Sequence, residues 1–359
     1  MSLENLGWNP FFNRHFENIK DNTLSPGRVT SVRKNSFLIS SGEAEFPATV
    51  SGKLRRMAVS PASFPATGDW VAFREKVITH LLPRRNALTR GASGNRDKKD
   101  AFPSEAQVIA ANVDTVFIVS GLDRDYNLRR IERYLTLVYN SGCVPVVLLN
   151  KCDLHRESEI EKFKTEVADV AIGVPIHPIS AEKGIGITEL SNHLCTGGTV
   201  VLMGSSGVGK STLVNRMVGD ESRMTRPVSQ RVGKGLHTTT SRDLIQLPGG
   251  GMIIDNPGLR EIAFWDDEDG IGEAFPEVVE LAAFCRFSDC SHQHEPGCRV
   301  QSAVRAGDLP PERLESYLKM KQELQYISER RHKSADRIEK EKWKAVAMRI
   351  KGMKKTKLS

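Results

Sequence analysis

The chain has no run approaching 18 consecutive apolar residues, so it offers no candidate membrane span. Met1 to Lys20 is polar and mixed in charge, which excludes a secretory leader there. Cysteine is scarce, with six in 359 residues. Cys143, Cys152 and Cys195 stand singly, whereas Cys285, Cys290 and Cys298 cluster around His292. That distribution excludes a disulfide framework and fits a reducing cytoplasm with one metal site. What remains is ordinary for a soluble protein: 39% hydrophobic and 26% charged residues, in a length suited to two or three domains.

The net charge of +7 is unevenly placed. From Arg330 to Ser359 there are 12 Lys/Arg against 3 Asp/Glu, a net of +9, and the rest of the chain is at −2. A basic tail of this kind favours a polyanionic partner.

Leu3, Leu6, Trp8, Phe11, Phe12, Phe16 and Ile19 recur at roughly helical spacing, so residues 1–24 read as a short amphipathic extension docked on the body. Residues 25–90 carry five short β runs (28–32, 36–39, 46–50, 69–73 and 77–82) broken by Gly42, Gly52 and Gly68. This texture predicts a small all-β barrel, most simply an OB-fold. Arg33, Lys34, Lys53, Arg55 and Arg56 fall in its loops, as an RNA-binding face requires. Residues 91–104 lack apolar periodicity and read as a linker. Apolar strands then alternate with amphipathic helices over 105–262, which predicts an α/β domain with a largely parallel, doubly covered sheet.

Within that domain, Gly204-Ser205-Ser206-Gly207-Val208-Gly209-Lys210-Ser211, followed by Thr212, lies between the apolar run 199–203 and a helical pattern. Strand, glycine-rich loop and helix form the context of a phosphate loop, whose backbone N–H groups cradle anionic oxygens. Lys210 would reach the β/γ-phosphates and Ser211 would hold Mg²⁺. Asn150-Lys151-Cys152-Asp153 matches NKxD. Asp153 can accept two hydrogen bonds from guanine N1–H and its amine, whereas adenine presents the opposite pattern. Asn150 would tie this segment to the phosphate loop, and Lys151 would pack along the base. Ser180-Ala181-Glu182 follows the next strand, where a second base-contacting loop belongs. Asp255-Asn256-Pro257-Gly258 matches DxxG, with Asp255 on Mg²⁺ through water and the Gly258 amide sensing the γ-phosphate. Thr238, Thr239 and Thr240 are the candidates to complete the Mg²⁺ shell.

One further absence matters. Leu259 follows Gly258, where Ras-like proteins carry the glutamine that orients water. Intrinsic hydrolysis is therefore expected to be slow, and His237 is the candidate to position water. The order is also unusual, because NKxD and SAE precede the phosphate loop: the G domain is circularly permuted. Residues 263–310 contain Cys285, Cys290, His292 and Cys298, a Cys₃His set suited to one closed, structural zinc site. After Pro310-Pro311, residues 311–359 read as a helix and the basic tail.

A β-barrel, a permuted GTPase and a Cys₃His module in this order resemble the RsgA (YjeQ) family of ribosome small-subunit-dependent GTPases. The resemblance implies a monomeric cytoplasmic factor in late 30S assembly that binds 16S rRNA and GTP/GDP with Mg²⁺, has no membrane partner, and is stimulated by the subunit. A GTP-dependent RNA-binding switch with incidental turnover, or a GTPase of another ribosomal particle, are the alternative readings.

Overall fold

The computed structural model describes residues 2–33, 36–58, 60–90, 107–219, 242–255, 269–322 and 325. Asn9 accepts hydrogen bonds from the Phe11 and Phe12 amides and starts α1 (Pro10–Glu17), with Pro10 in the first turn. Phe12 is fully buried, and Trp8 packs edge-on to Trp70 at 4.8 Å. Leu6 and Phe12 are thus part of the main core.

The barrel comprises β1 (Ser25–Val32), β2 (Phe37–Ser40), β3 (Glu45–Val50), β4 (Trp70–Arg74) and β5 (Val77–Leu81). Antiparallel pairs β1–β2, β2–β3, β4–β5 and β1–β4, together with the parallel pair β3–β5, close it. Val29, Ile39, Ala48, Val71, Phe73 and Ile78 fill its interior. A short helix, α2 (Gly52–Met57), is capped by Ser51 and exposes Lys53, Arg55 and Arg56. β6 (Ala87–Arg90) lies in the segment assigned to the barrel, yet it pairs with β7 (Gln107–Ala111) in a separate two-stranded sheet. The expected linker falls between these strands and outside the described residues.

The α/β region follows as β8 (Thr115–Gly121), α3 (Leu128–Asn140), β9 (Val144–Asn150), α4 (Glu157–Val170), β10 (Ile176–Ile179), β11 (Thr199–Met203), α5 (Lys210–Val218), β12 (Arg242–Gln246) and β13 (Met252–Asp255). Strand order is β10-β9-β8-β11-β13-β12, parallel throughout except for antiparallel β12. Val, Ile and Leu runs in β8, β9 and β11 are buried nearly end to end because the sheet is covered on both faces. β12 also pairs with β1, so the barrel and the α/β sheet form one 11-stranded array.

The chain ends its described course in α6 (Asp269–Ala274), α7 (Pro276–Ala282), α8 (Arg299–Ala306) and α9 (residues 311–322). Arg313 of α9 is buried. It donates to Glu132 of α3 at 2.6 Å, to Glu277 at 2.5 Å and to the Ala274 carbonyl at 2.6 Å. This clamp seats the C-terminal helices on α3. Among the described residues, no helix is long and apolar enough to cross a membrane.

Candidate nucleotide and metal sites

The loops leaving β8, β9, β10 and β11 converge at the carboxyl ends of their strands, where open α/β sheets place ligands. Gly204 is buried at the end of β11, while Ser206, Gly207, Ser211 and Thr212 are exposed. Gly207 and Gly209 have φ of 79° and 100°, and a Cβ on Gly209 would collide with the Asn150 amide. Only glycine fits there without displacing Asn150. The Lys210 ammonium folds back to donate to the Gly204 carbonyl at 2.7 Å and to the Ser205 carbonyl.

Asn150 joins three loops. It is 3% exposed, its Nδ2 donates to the Val208 carbonyl at 2.7 Å, and its Oδ1 accepts from the Ala181 amide at 2.9 Å. Both ends of one amide are thereby satisfied in the interior, which fixes its orientation. Lys151, in a left-handed conformation, donates to Asp123 at 2.5 Å and to the Gly207 carbonyl at 3.0 Å. Its ammonium is anchored to the phosphate-loop side. The Lys151 hydrogen bond holds the Asp123 carboxyl below the usual range.

Cys152 is buried in the core, whereas Asp153 is exposed. Ser180 is fully buried and its hydroxyl accepts from the Lys183 amide. Arg216 of α5 donates to the Ala181 and Glu182 carbonyls at 3.3 and 2.6 Å. The helix behind the phosphate loop thus also carries the SAE loop.

Asp255 ends β13 directly across from Asp243. Packing, and then the like charge of Asp243, push its carboxyl up, while Lys210 pulls it down. A divalent cation would relieve that repulsion, and Ser211 and Asp255 are oxygen donors suited to Mg²⁺. His237, Thr238, Thr239, Thr240, Gly258 and Leu259 lie outside the described residues.

The second site is the Cys₃His cluster. The ligand atoms of Cys285, Cys290, His292 and Cys298 all lie within 4.8 Å of one another. His292 Nδ1 is 3.7 Å from Cys285 Sγ and 3.5 Å from Cys298 Sγ, and those two sulfurs are 3.9 Å apart. Tetrahedral zinc with ordinary Zn–S and Zn–N bonds implies edges of roughly 3.5–3.8 Å, so the set fits that ion. Cys298 caps α8, its sulfur accepting from the Gln301 amide at 3.4 Å. The Gln301 side chain holds the His292 carbonyl at 2.8 Å, and Glu295 accepts from the amides of Ser291, Gln293 and His294. Four protein ligands with no open position are the pattern of structural zinc sites.

The sequence reading missed Asp123, Asp125 and Arg28. The first two follow a buried strand at its carboxyl end, a position that marks site residues in α/β sheets. Arg28 carried no such signal.

The model of the RsgA GTPase family matches residues 81–265. A Syntrophotalea carbinolica protein named small ribosomal subunit biogenesis GTPase RsgA is 45% identical over 352 residues, covering 96% of each chain. Its namesake from Opitutus terrae is 44% identical over 361 residues, again covering 96% of each. The crystal structure of YjeQ from Thermotoga maritima superposes with a TM-score of 0.62 at 29% identity, over 84% of this chain and 98% of that one. YloQ, described as a circularly permuted GTPase, gives 0.59 at 22% identity over 85% and 96%, a likeness of fold.

Proposed function

The chain belongs to the RsgA GTPase family and hydrolyses GTP; on that premise we propose that it acts in biogenesis of the small (30S) ribosomal subunit. The observation that carries the nucleotide assignment is Asn150, which bonds the phosphate loop and the SAE loop with one side chain. Guanine then lies against Asp153, Lys210 meets the β/γ-phosphates, and Ser211 and Asp255 hold Mg²⁺. The Cys₃His cluster holds one structural zinc.

The barrel closes in the order β1-β2-β3-β5-β4-β1, which we read as an OB-fold. Its exposed Lys53, Arg55 and Arg56 present positive charge to 16S rRNA, and the basic tail adds a second polyanion contact. The protein works as a cytoplasmic monomer.

Leu259 cannot orient water, so turnover is slow alone and rises on the subunit, with His237 positioning water and Thr239 or Thr240 completing the Mg²⁺ shell. GTPase rates with purified 30S, with 50S and with neither test this reading. Stimulation by 30S alone is expected, and its absence overturns the assignment. Wild-type stimulated turnover in His237→Ala would remove His237 from the proposal.

A further inference from the structure

We infer that Asp125 is a positioning residue for GTP hydrolysis, fixing the upstream half of the phosphate loop and thereby the aim of Lys210. The Ser205 hydroxyl donates to Asp125 Oδ2. Asp125 Oδ1 is held by Arg130 Nη1 at 2.6 Å, and the Asp125 amide donates to Asp123 Oδ1 at 3.1 Å. Packing works against the charge, but hydrogen bonds from Arg130 and Ser205 keep the Asp125 carboxyl below its usual range. It is therefore an ionised acceptor at neutral pH.

The consequence runs through one peptide. Lys210 donates to the carbonyls of Gly204 and Ser205. With two N–H bonds so directed, the place of the ammonium follows from where those carbonyls stand. Gly204 is fixed by β11. The peptide after it is held by the Ser205 side chain, because Gly207 and Gly209 downstream have no side chains to brace the loop. Lys151 and Asn150 secure the downstream carbonyls of Gly207 and Val208. Asp125 performs the matching task upstream, and a small misplacement of a group that meets the reacting phosphates is costly in rate. Arg130 lies on α3, whose Glu132 is clamped by Arg313, so the position of Asp125 follows that of α3.

The inference rests on GTP turnover at this loop, and Lys210→Ala tests that premise separately. Steady-state GTP hydrolysis by the full-length, zinc-loaded protein is measured for Asp125→Ala, Ser205→Ala, their double variant and Asp125→Asn. Each alanine variant should lower kcat about tenfold with KM for GTP within about threefold of wild type, the signature of a lost positioning interaction. The double variant should be no slower than either single one, and Asp125→Asn, which keeps an acceptor oxygen, should recover most of the rate. Wild-type kcat in Asp125→Ala, or multiplied losses in the double variant, overturns the inference. Should Asp125→Ala not fold, wild-type kcat in Ser205→Ala overturns it equally. Undiminished turnover in Lys210→Ala would instead overturn the assignment of hydrolysis to this loop.

Discussion

Arg28 Nη2 donates to Thr199 Oγ1 at 2.8 Å, and both residues are buried. A barrel arginine thus holds the first residue of the strand that delivers the phosphate loop. The same guanidinium donates to the carbonyls of Leu6, Gly68 and Asn112 and lies 5.6 Å over Trp70. Among the described residues, no carboxylate pairs with it directly. Burial pushes it down to about 10, which still leaves it charged at neutral pH.

Arg28→Ala should therefore destabilise the protein by roughly 3–5 kcal/mol, since several buried acceptors lose their donor and a cavity opens. Arg28→Lys should recover little, because an ammonium cannot span the fork. Urea unfolding midpoints measure both. A loss below about 1 kcal/mol in Arg28→Ala would show that water replaces the guanidinium.

Asp153→Asn should weaken GTP binding by about 3 kcal/mol, roughly a hundredfold, as two charge-assisted bonds to guanine are lost. It should improve binding of xanthosine triphosphate, whose 2-oxo group accepts from the new amide. Competition with a fluorescent nucleotide reads both changes. Unaltered GTP affinity would remove Asp153 from the base pocket.

Chelation of zinc should unfold the region of α6 to α8, since such a site contributes on the order of 10 kcal/mol to its module. Limited proteolysis would then cut within 269–310 while leaving the α/β core. Cys290→Ser should reproduce the effect without chelator. Retained protection after verified zinc loss would make the ion dispensable.

Mild acid should also destabilise the α/β region through His177. Its Nε2 lies 2.8 Å from His193 Nε2, a contact with room for one shared proton. Burial, and then the charge of His193, lower its pKa from 6.5. A depressed folded value means that stability is complete above pH 6.5 and falls as pH drops through the folded value. The melting temperature of wild type should decline more between pH 7.5 and pH 5.5 than that of His177→Asn. Parallel declines would rule out the pair as the cause.

The β runs of the barrel, the parallel strands and the grouping of Cys285, Cys290, His292 and Cys298 were legible in the sequence because each is local. Alternation, continuous Val/Ile/Leu runs and short ligand spacings survive in one dimension. Asn150 was legible as a tie to the phosphate loop, but its second bond to Ala181 was not. Antiparallel β12 escaped because Arg242-Asp243-Leu244-Ile245-Gln246 shows weak alternation and takes its pairing from β1 and β13. The β6–β7 pair escaped because its partners are separated by residues 91–106. Arg28 reads as any polar strand residue, since its burial depends on the extension, the barrel and β11 meeting in space. Lys151 shows how a motif fixes place but not contact: its ammonium turns to Asp123, a partner no spacing announces.

The seam between β1 and β12 has a mechanical consequence. Ser31 pairs with Asp243 and Val32 with Arg242, at the first two residues of β12. The threonines that are candidates to complete the Mg²⁺ shell lie just before that strand in the chain. The barrel therefore cannot swing away from the sheet without peeling β12, and a slip of β12 would drag the barrel with it. Load applied to one is delivered to the other along a shared backbone edge, with no side chain as intermediary.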